Sequence, residues 1–141
     1  MNNSIIKIES RQKSIDTGET LVETFDYEGV SGRVGNTICI GYNQIDDESG
    51  EIVKNLIKIE GGKVTRTSSG VQTSTMVFES GKTTKTTYKT AYGEFDMSFF
   101  AKNVQIFQRK TGMEIILEYT LSINKQPTTE TMMRIHCTEK E

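Results

Sequence analysis

The sequence has no tryptophan, a single proline, a single histidine and only two cysteines. The cysteines, Cys39 and Cys137, are far apart and form no Cys-x-x-Cys pattern, so we expect two reduced, structural thiols. One histidine and two separated cysteines fall short of a zinc set, and no nucleophile-base pair emerges from the pattern. We therefore expect no enzyme activity, no metal and no cofactor.

An excess of charge of one sign is also missing. The chain carries 17 Lys and Arg against 19 Asp and Glu, a net charge of −2. This near balance argues against nucleic acid as a partner. The first residues contain no basic head and no long apolar run, so we expect no signal peptide, no membrane span and a cytoplasmic protein.

Two stretches invite comparison with ligand-binding loops but lack the required spacing. Glycines at positions 29, 32 and 35 do not follow the dinucleotide-binding fingerprint, and they predict a tight turn or a bulge in a twisted ribbon. The acidic run from Asp46 to Glu51 does not match a calcium-binding loop, and it predicts a solvated hairpin tip.

What the sequence does contain is a repeated alternation of apolar and polar residues. It is clearest in Met113–Ile123, where every second residue is apolar or aromatic: Met113, Ile115, Leu117, Tyr119, Leu121 and Ile123. Four of the five residues between them are polar. A period of two is typical of a β-strand with one buried face, and such a strand needs neighbours to cover that face.

Similar segments recur every 8–12 residues or so, with turn residues between them. They are Ile5–Ser14, Thr20–Gly29, Thr37–Gln44, Ile52–Glu60, Lys63–Ser69, Val71–Glu79, Thr83–Thr90, Glu94–Phe100 continuing into Val104–Gln108, Met113–Ile123 and Thr129–Cys137. The pattern predicts one all-β domain over residues 1–141. Because closure removes exposed sheet edges, we expect an antiparallel up-and-down β-barrel of about 8–10 strands.

One segment is ambiguous. In Ile52–Glu60 the apolar residues would line one side of a helix capped by Ser49, or one face of a strand. We favour the strand, because Gly61-Gly62 and the short segment behind them suggest a hairpin return.

Several short motifs resemble a known family. They are Phe78 and Gly81, then Tyr88-Lys-Thr90-Ala-Tyr92-Gly93-Glu94, then Glu118-Tyr119-x-Leu121-x-Ile123. The chain is similar along nearly its whole length to the YwiB-like family of small bacterial proteins of unknown function. The resemblance implies a calycin-like, lipocalin-type barrel and implies no reaction. Two positions depart from the family pattern. Ser68 stands where the family tends to have an arginine, and Tyr42 is followed by Asn43-Gln44, where the family tends to have an acidic residue.

A barrel of this size either is filled by its side chains or holds one small ligand. The aromatic residues expected inside are Phe25, Tyr42, Tyr92, Phe95, Phe99 and Tyr119. We predict that a small, partly apolar or amphipathic ligand binds in the interior, with Tyr42, Tyr92 and Tyr119 as polar contacts and Phe95 and Leu117 as walls.

The alternative is a filled barrel that acts as a protein-interaction or homodimerisation module. Ile116, Met132 and Phe100 are apolar residues on faces that are otherwise polar. By the same alternation, His136 shares the outer face with Arg134 and Glu130, where we expect it to be solvated or salt-bridged. The Thr-rich strand with Lys85 and Lys89 is expected to be a lysine-protected edge strand rather than an anion site.

Overall fold

The computed structural model describes residues 1–70, 74–90 and 92–140, and for residues 88–90 it describes the backbone alone. The described residues form ten β-strands and no helix. The strands are β1 (Asn2–Ser14), β2 (Thr20–Val34), β3 (Thr37–Ile45), β4 (Ile52–Glu60), β5 (Lys63–Ser69), β6 (Ser74–Phe78), β7 (Thr83–Thr90), β8 (Gly93–Arg109), β9 (Gly112–Ile123) and β10 (Gln126–Glu139).

All ten strands belong to one antiparallel sheet in the order β6-β5-β4-β3-β2-β1-β10-β9-β8-β7. The two terminal strands β1 and β10 pair along their length, from Ser4 opposite Glu139 to Ser14 opposite Thr129. The ends of the sheet are therefore β6 and β7, which are consecutive in the chain. The hydroxyl of Thr84 donates a 2.7 Å hydrogen bond to the carbonyl of Val77 and links these two ends. The sheet is a nearly closed barrel, as predicted.

The segment that the sequence left open between helix and strand is the strand β4. Asn55, Ile57 and Ile59 are buried, with Lys58 exposed between the last two. Only a period of two places residues 55, 57 and 59 on one face. β3 and β5 pair with the two edges of β4, and this pairing favours the strand over the helix.

Two strands are longer than the sequence predicted. β8 is continuous through residues 101–103, because a register shift between Ala101 and Asn103 keeps apolar side chains inside on both sides of it. β2 continues through Gly29, whose missing Cβ would lie 2.2 Å from the carbonyl oxygen of Gly41. The first tight turn after it is at Gly35, which has a positive φ of 62°. For the predicted strand Val71–Glu79, the structure shows Ser74–Phe78, and residues 71–73 lie outside the described residues.

Most of the interior is filled by side chains. The inward residues of β9, from Met113 to Tyr119, are buried together with isoleucines from β1, β3, β4 and β10. Phe78, Phe99 and Tyr119 form an aromatic trio with ring centroids 4.8–5.9 Å apart. The rings lie edge-to-face or tilted, which are favoured aromatic geometries. This packed core places the candidate site at one end of the barrel.

Candidate functional site

Polar side chains enter the barrel interior at one end, which we call the mouth. We define the mouth by the inward residues Tyr27, Tyr42, Gln44, Asn55, Arg66, Ser68 and Met76. The strand register explains why they meet, since Tyr42 lies opposite Asn55 and Asn55 lies opposite Ser68. Arg66 is one inward position deeper, opposite Ile57, which is fully buried. Arg66 therefore stands at the boundary between the polar mouth and the apolar core.

The guanidinium of Arg66 is only partly satisfied. Its Nη2 donates a 2.9 Å hydrogen bond to the hydroxyl oxygen of Tyr42. Its Nε is buried and has no hydrogen-bond partner. Among the residues that the structure describes, no carboxylate lies within ion-pair distance of Arg66. An arginine keeps its charge in proteins, so the mouth contains a cation with unused donors.

Burial and this cation act on the surrounding tyrosines in opposite directions. Burial raises the pKa of Tyr42 and of Tyr119, and the nearby Arg66 charge partly offsets that rise at both residues. Burial also raises the pKa of Tyr27. The neighbouring Tyr42 raises this pKa further, and the charge of Arg66 lowers it. All three phenols are therefore protonated at neutral pH and can donate hydrogen bonds.

The remaining polar groups of the mouth are held in place by one another. Ser68 Oγ donates a 2.6 Å hydrogen bond to Asn55 Oδ1, and Asn55 Nδ2 lies 3.5 Å from Gln44 Oε1. Asn55 is buried although it is polar. These contacts fix one wall of a cleft of about 440 Å³ that also includes Val53, Arg66 and Met76.

A stack of aromatic rings leads from the rim to Arg66. The ring of Phe25 is stacked on Tyr27 at 6.2 Å, and Tyr27 is stacked on Tyr42 at 4.6 Å. Phe25 is partly exposed, Tyr27 is half-buried and Tyr42 is buried, so the stack runs from solvent inward. The mouth thus combines an apolar path with a cation at its inner end.

Another cleft, of about 480 Å³, lies near β7 and β8 and includes Lys85, Asp96 and Lys125. These three charged side chains are exposed to solvent. A solvated charge contributes little to specific binding, whereas a buried polar group with an unused donor has more to gain from a ligand. The mouth is for this reason the stronger candidate site.

The structure separates the five predicted site residues into two groups. Tyr42, Leu117 and Tyr119 are buried inside the barrel. Tyr92 and Phe95 are 89% and 40% exposed, so the prediction that they line the interior is wrong. The physical reason is that β8 pairs with β9 only from Met97 onward, while residues 93–96 pair with β7 alone. This hairpin extends beyond the paired part of β9, where no other strand of the described residues covers its inward-facing side chains.

The prediction of Phe25 as an interior residue also needs correction, because its ring lies at the partly exposed rim. The alternation of the sequence did not single out Arg66, Tyr27 or Asn55 as site residues. A signal for Arg66 was present: it has the same parity as Val64 in β5, and Val64 is buried. A charged residue at an inward position of a strand is uncommon and indicates a special environment.

The outer face of β8–β10 has its own charge cluster around Glu114. Arg109 Nη2 lies 3.1 Å from Glu114 Oε2, Arg134 Nε lies 3.1 Å from Oε1, and His136 Nε2 lies 3.9 Å from Oε1. The Arg134 contact is an ion pair without hydrogen-bond geometry. His136 lies on the outer face, as predicted, and is close to Glu114 there. Glu114 faces outward as predicted, but these partners leave its side chain only 12% exposed.

His136 and Cys137 do not form a dyad. The thiol of Cys137 is buried inside the barrel next to Ser4 and Ser31, and burial raises the pKa of the thiol. His136 is on the outer face, because adjacent residues of a strand point to opposite sides. Within the described ranges, no group of three or more His, Cys, Asp or Glu side chains is placed to hold a metal ion. No helix in the same part of the chain is long and apolar enough to cross a membrane.

The fold defines a class: a nearly closed, ten-stranded antiparallel β-barrel, which is consistent with the calycin-like, lipocalin-type fold that the resemblance implies. The profile of the family described as "Domain of unknown function (DUF1934)" matches residues 6–135, and the chain belongs to this family. A solved structure, the ywiB protein from Bacillus subtilis, is similar with a TM-score of 0.87 and 21% identity. The match covers 99% of this chain and 93% of that one, which confirms the YwiB-like resemblance. No curated protein matches the chain.

Proposed function

We propose that this protein binds a small, partly apolar molecule in the mouth of its barrel. The observation that carries the proposal is the contrast between the filled core and the cleft of about 440 Å³ beside Arg66. Ligand sites are typically clefts of about 300–1,000 Å³ that combine apolar walls with a few placed polar groups. Val53 and Met76 supply apolar walls, and Asn55 and Ser68 supply polar groups. The Tyr27–Tyr42 stack adjoins the cleft through the hydrogen bond between Tyr42 and Arg66.

The mouth, rather than the deeper interior, is the proposed binding position. Leu117 is 2% exposed in the packed core and does not line the cleft. Tyr119 lies opposite Thr131 in the β9–β10 register, and both residues are buried. Tyr42 is buried as well, but its hydroxyl is hydrogen-bonded to Arg66, which lines the cleft. Tyr42 is for this reason the member of the predicted set that we propose as a ligand contact.

The test uses Nile red, an uncharged apolar dye whose fluorescence rises in an apolar site. We expect saturable binding to the wild-type protein and a loss of affinity of about tenfold in Tyr27→Ala, since an aromatic contact and its buried area are removed. Phe107→Ala is the matched control, because Phe107 is a partly exposed aromatic residue on the outer face. Absence of dye binding, or an equal loss in both variants, would contradict the proposal.

We propose binding without catalysis. The support is geometric: the single histidine lies on the outer face with Glu114, and the neighbouring Cys137 faces the interior. A screen of hydrolase substrates against the wild type and His136→Gln is expected to show no turnover that the substitution abolishes. Turnover lost in His136→Gln would contradict this.

Self-association is a second candidate function, favoured by the outer face of β8–β10. Phe107 lies opposite Glu114, Ile116 lies opposite Arg134, and Met132 lies opposite Glu118. Phe107, Ile116 and Met132 are thus diagonal neighbours on three adjacent strands, within the reach of large side chains. Phe107 and Met132 are partly exposed, and a partly exposed apolar stripe is a feature of protein contacts.

Sedimentation velocity over a hundredfold range of concentration tests this second candidate. A dimer that dissociates in Met132→Glu but persists in Val34→Glu would support it. Val34 is an exposed residue at the end of β2 and serves as the control for an added charge. A wild-type protein that is monomeric at every concentration would contradict it.

A further inference from the structure

We infer that the ligand's polar end is a carboxylate, bound at the inner end of the mouth by Arg66 and Tyr42. This inference rests on the proposed function and specifies the class of ligand: a small carboxylic acid with an apolar body. Four features of the mouth lead to it in steps: the cation, the second donor, the charges at the rim and the apolar path.

The first step is that Arg66 is a cation with no counter-ion among the residues that the structure describes. Two arginines on the outer face, Arg109 and Arg134, are each paired with the carboxylate of Glu114. Arg66 has no such partner, and its one side-chain hydrogen bond goes to the neutral Tyr42. A partly buried charge is costly unless it is paired, and a bound anion would supply both the charge and acceptors for its free N–H groups.

The second step is that Tyr42 keeps a proton to donate. Its hydroxyl oxygen accepts the hydrogen bond from Arg66 Nη2, so the hydroxyl hydrogen is not used in that contact. Because burial raises the pKa of Tyr42, the hydroxyl stays protonated at neutral pH. The guanidinium and this hydroxyl therefore present two kinds of donor to one anion, and a carboxylate has two oxygens to receive them.

The third step is that the rim discriminates between anions. The cleft also includes Asp46, Asp47 and Glu48 of the turn between β3 and β4. Asp47 and Glu48 are exposed, and the charge of Asp47 contributes to raising the pKa of Tyr27. These carboxylates repel a second negative charge more than a single one. A monoanionic carboxylate fits this environment better than a dianionic phosphate.

The fourth step is the position of the apolar body. From the Tyr42–Arg66 contact, the stacked rings of Tyr42, Tyr27 and Phe25 lead outward to the rim. Val53 and Met76 line the cleft beside Arg66, so a carboxylate at Arg66 leaves the apolar part of the ligand between these two side chains and the aromatic stack. The opposite orientation would place an apolar group against the unpaired Nε of Arg66.

The experiment is displacement of Nile red by three ligands of the same chain length: decanoate, decanol and decyl phosphate. We expect decanoate to compete at least tenfold more strongly than decanol, and more strongly than decyl phosphate. Arg66→Gln should remove the advantage of decanoate over decanol while leaving decanol competition in place. Tyr42→Phe, which keeps the ring stack, should reduce the advantage severalfold. Arg109→Gln, a cation on the outer face, should leave it unchanged.

The outcomes distinguish the carboxylate inference from the small-ligand function. Equal competition by decanol and decanoate overturns the carboxylate inference and leaves the small-ligand function standing. Stronger competition by decyl phosphate overturns the carboxylate in favour of a phosphate. If neither Nile red nor any of the three ligands binds, both proposals fail. Should Arg66→Gln fail to fold, as judged by circular dichroism, the Tyr42→Phe comparison decides the matter.

Discussion

Arg66 Nη2 donates a 2.9 Å hydrogen bond to the hydroxyl oxygen of Tyr42, across the intervening strand β4. The bond joins β5 to β3, strands that do not pair with each other in the sheet. Arg66 lies at the level of the barrel where the inward side chains change from polar to apolar. The mouth is consequently shaped by a contact that also leaves Arg66 with unused donors.

We expect Tyr42→Phe to lower the free energy of unfolding by about 1–3 kcal/mol at neutral pH. The substitution removes the acceptor for Nη2 and leaves a further donor of a partly buried guanidinium unpaired. Urea unfolding followed by circular dichroism measures the change. In a double-mutant cycle with Arg66→Gln, the two losses should not add, because they remove the same contact. Strictly additive losses in the double variant would contradict a direct contact between Tyr42 and Arg66.

Stability should fall as the pH rises above about 10. Burial raises the pKa of Tyr42 and Tyr119 above the ordinary value of 10.0. The unfolded chain therefore loses these protons first, so above that pH the folded state binds more protons than the unfolded state. The contribution is fully present below pH 10 and is lost as the pH rises toward the folded-state pKa. Urea midpoints between pH 8.5 and 11 measure the slope, which should be shallower in Tyr42→Phe.

Glu114→Gln should destabilise the protein by roughly 1 kcal/mol at low salt, and by less at high salt. The substitution leaves Arg109 and Arg134 facing each other with no carboxylate between them. Thermal unfolding at 20 mM and 500 mM sodium chloride provides the measurement. Glu118→Gln, on the same face of β9 but in no described ion pair, is the control and should have a smaller effect. Equal effects of the two substitutions would contradict the cluster.

Gly112→Ala should be strongly destabilising, by more than about 2 kcal/mol. A Cβ at position 112 would lie 1.9 Å from the carbonyl oxygen of Cys137, so either the backbone of β9 or that of β10 must move. Gly62→Ala is the matched control, because an added Cβ there meets no atom within 4 Å. Urea unfolding of the two variants compares them directly. A small effect at position 112 would mean that β9 and β10 lie farther apart than described.

Much of the fold is predictable from the sequence because the side-chain period of a strand is local. Met113, Ile115 and Leu117 point inward as the alternation predicts. The same rule assigned the outer face to Glu114 and His136. The pairing of β1 with β10 was not specified by any local pattern, since it joins residues that are more than 100 positions apart.

The candidate site was less predictable, because alternation gives the direction of a side chain but not its depth. Phe95 and Phe99 have the same parity in β8, yet Phe99 is buried and Phe95 is partly exposed. The difference depends on where β9 ends relative to β8, which is a property of the register. Arg66 was missed for a related reason. Its importance depends on the lack of a described carboxylate within ion-pair distance, which only the folded structure shows.

Nitrogen-15 NMR titration with decanoate tests the central claim most directly, because the Nε–H group of Arg66 gives its own signal. That Nε is buried and unpaired in the structure described here. The account predicts a large, saturable shift of the Arg66 Nε–H signal, accompanied by shifts of the amide groups of Asn55 and Ser68. An Arg66 signal that stays in place while decanoate saturates the protein, or shifts confined to the outer face around Glu114, would contradict it.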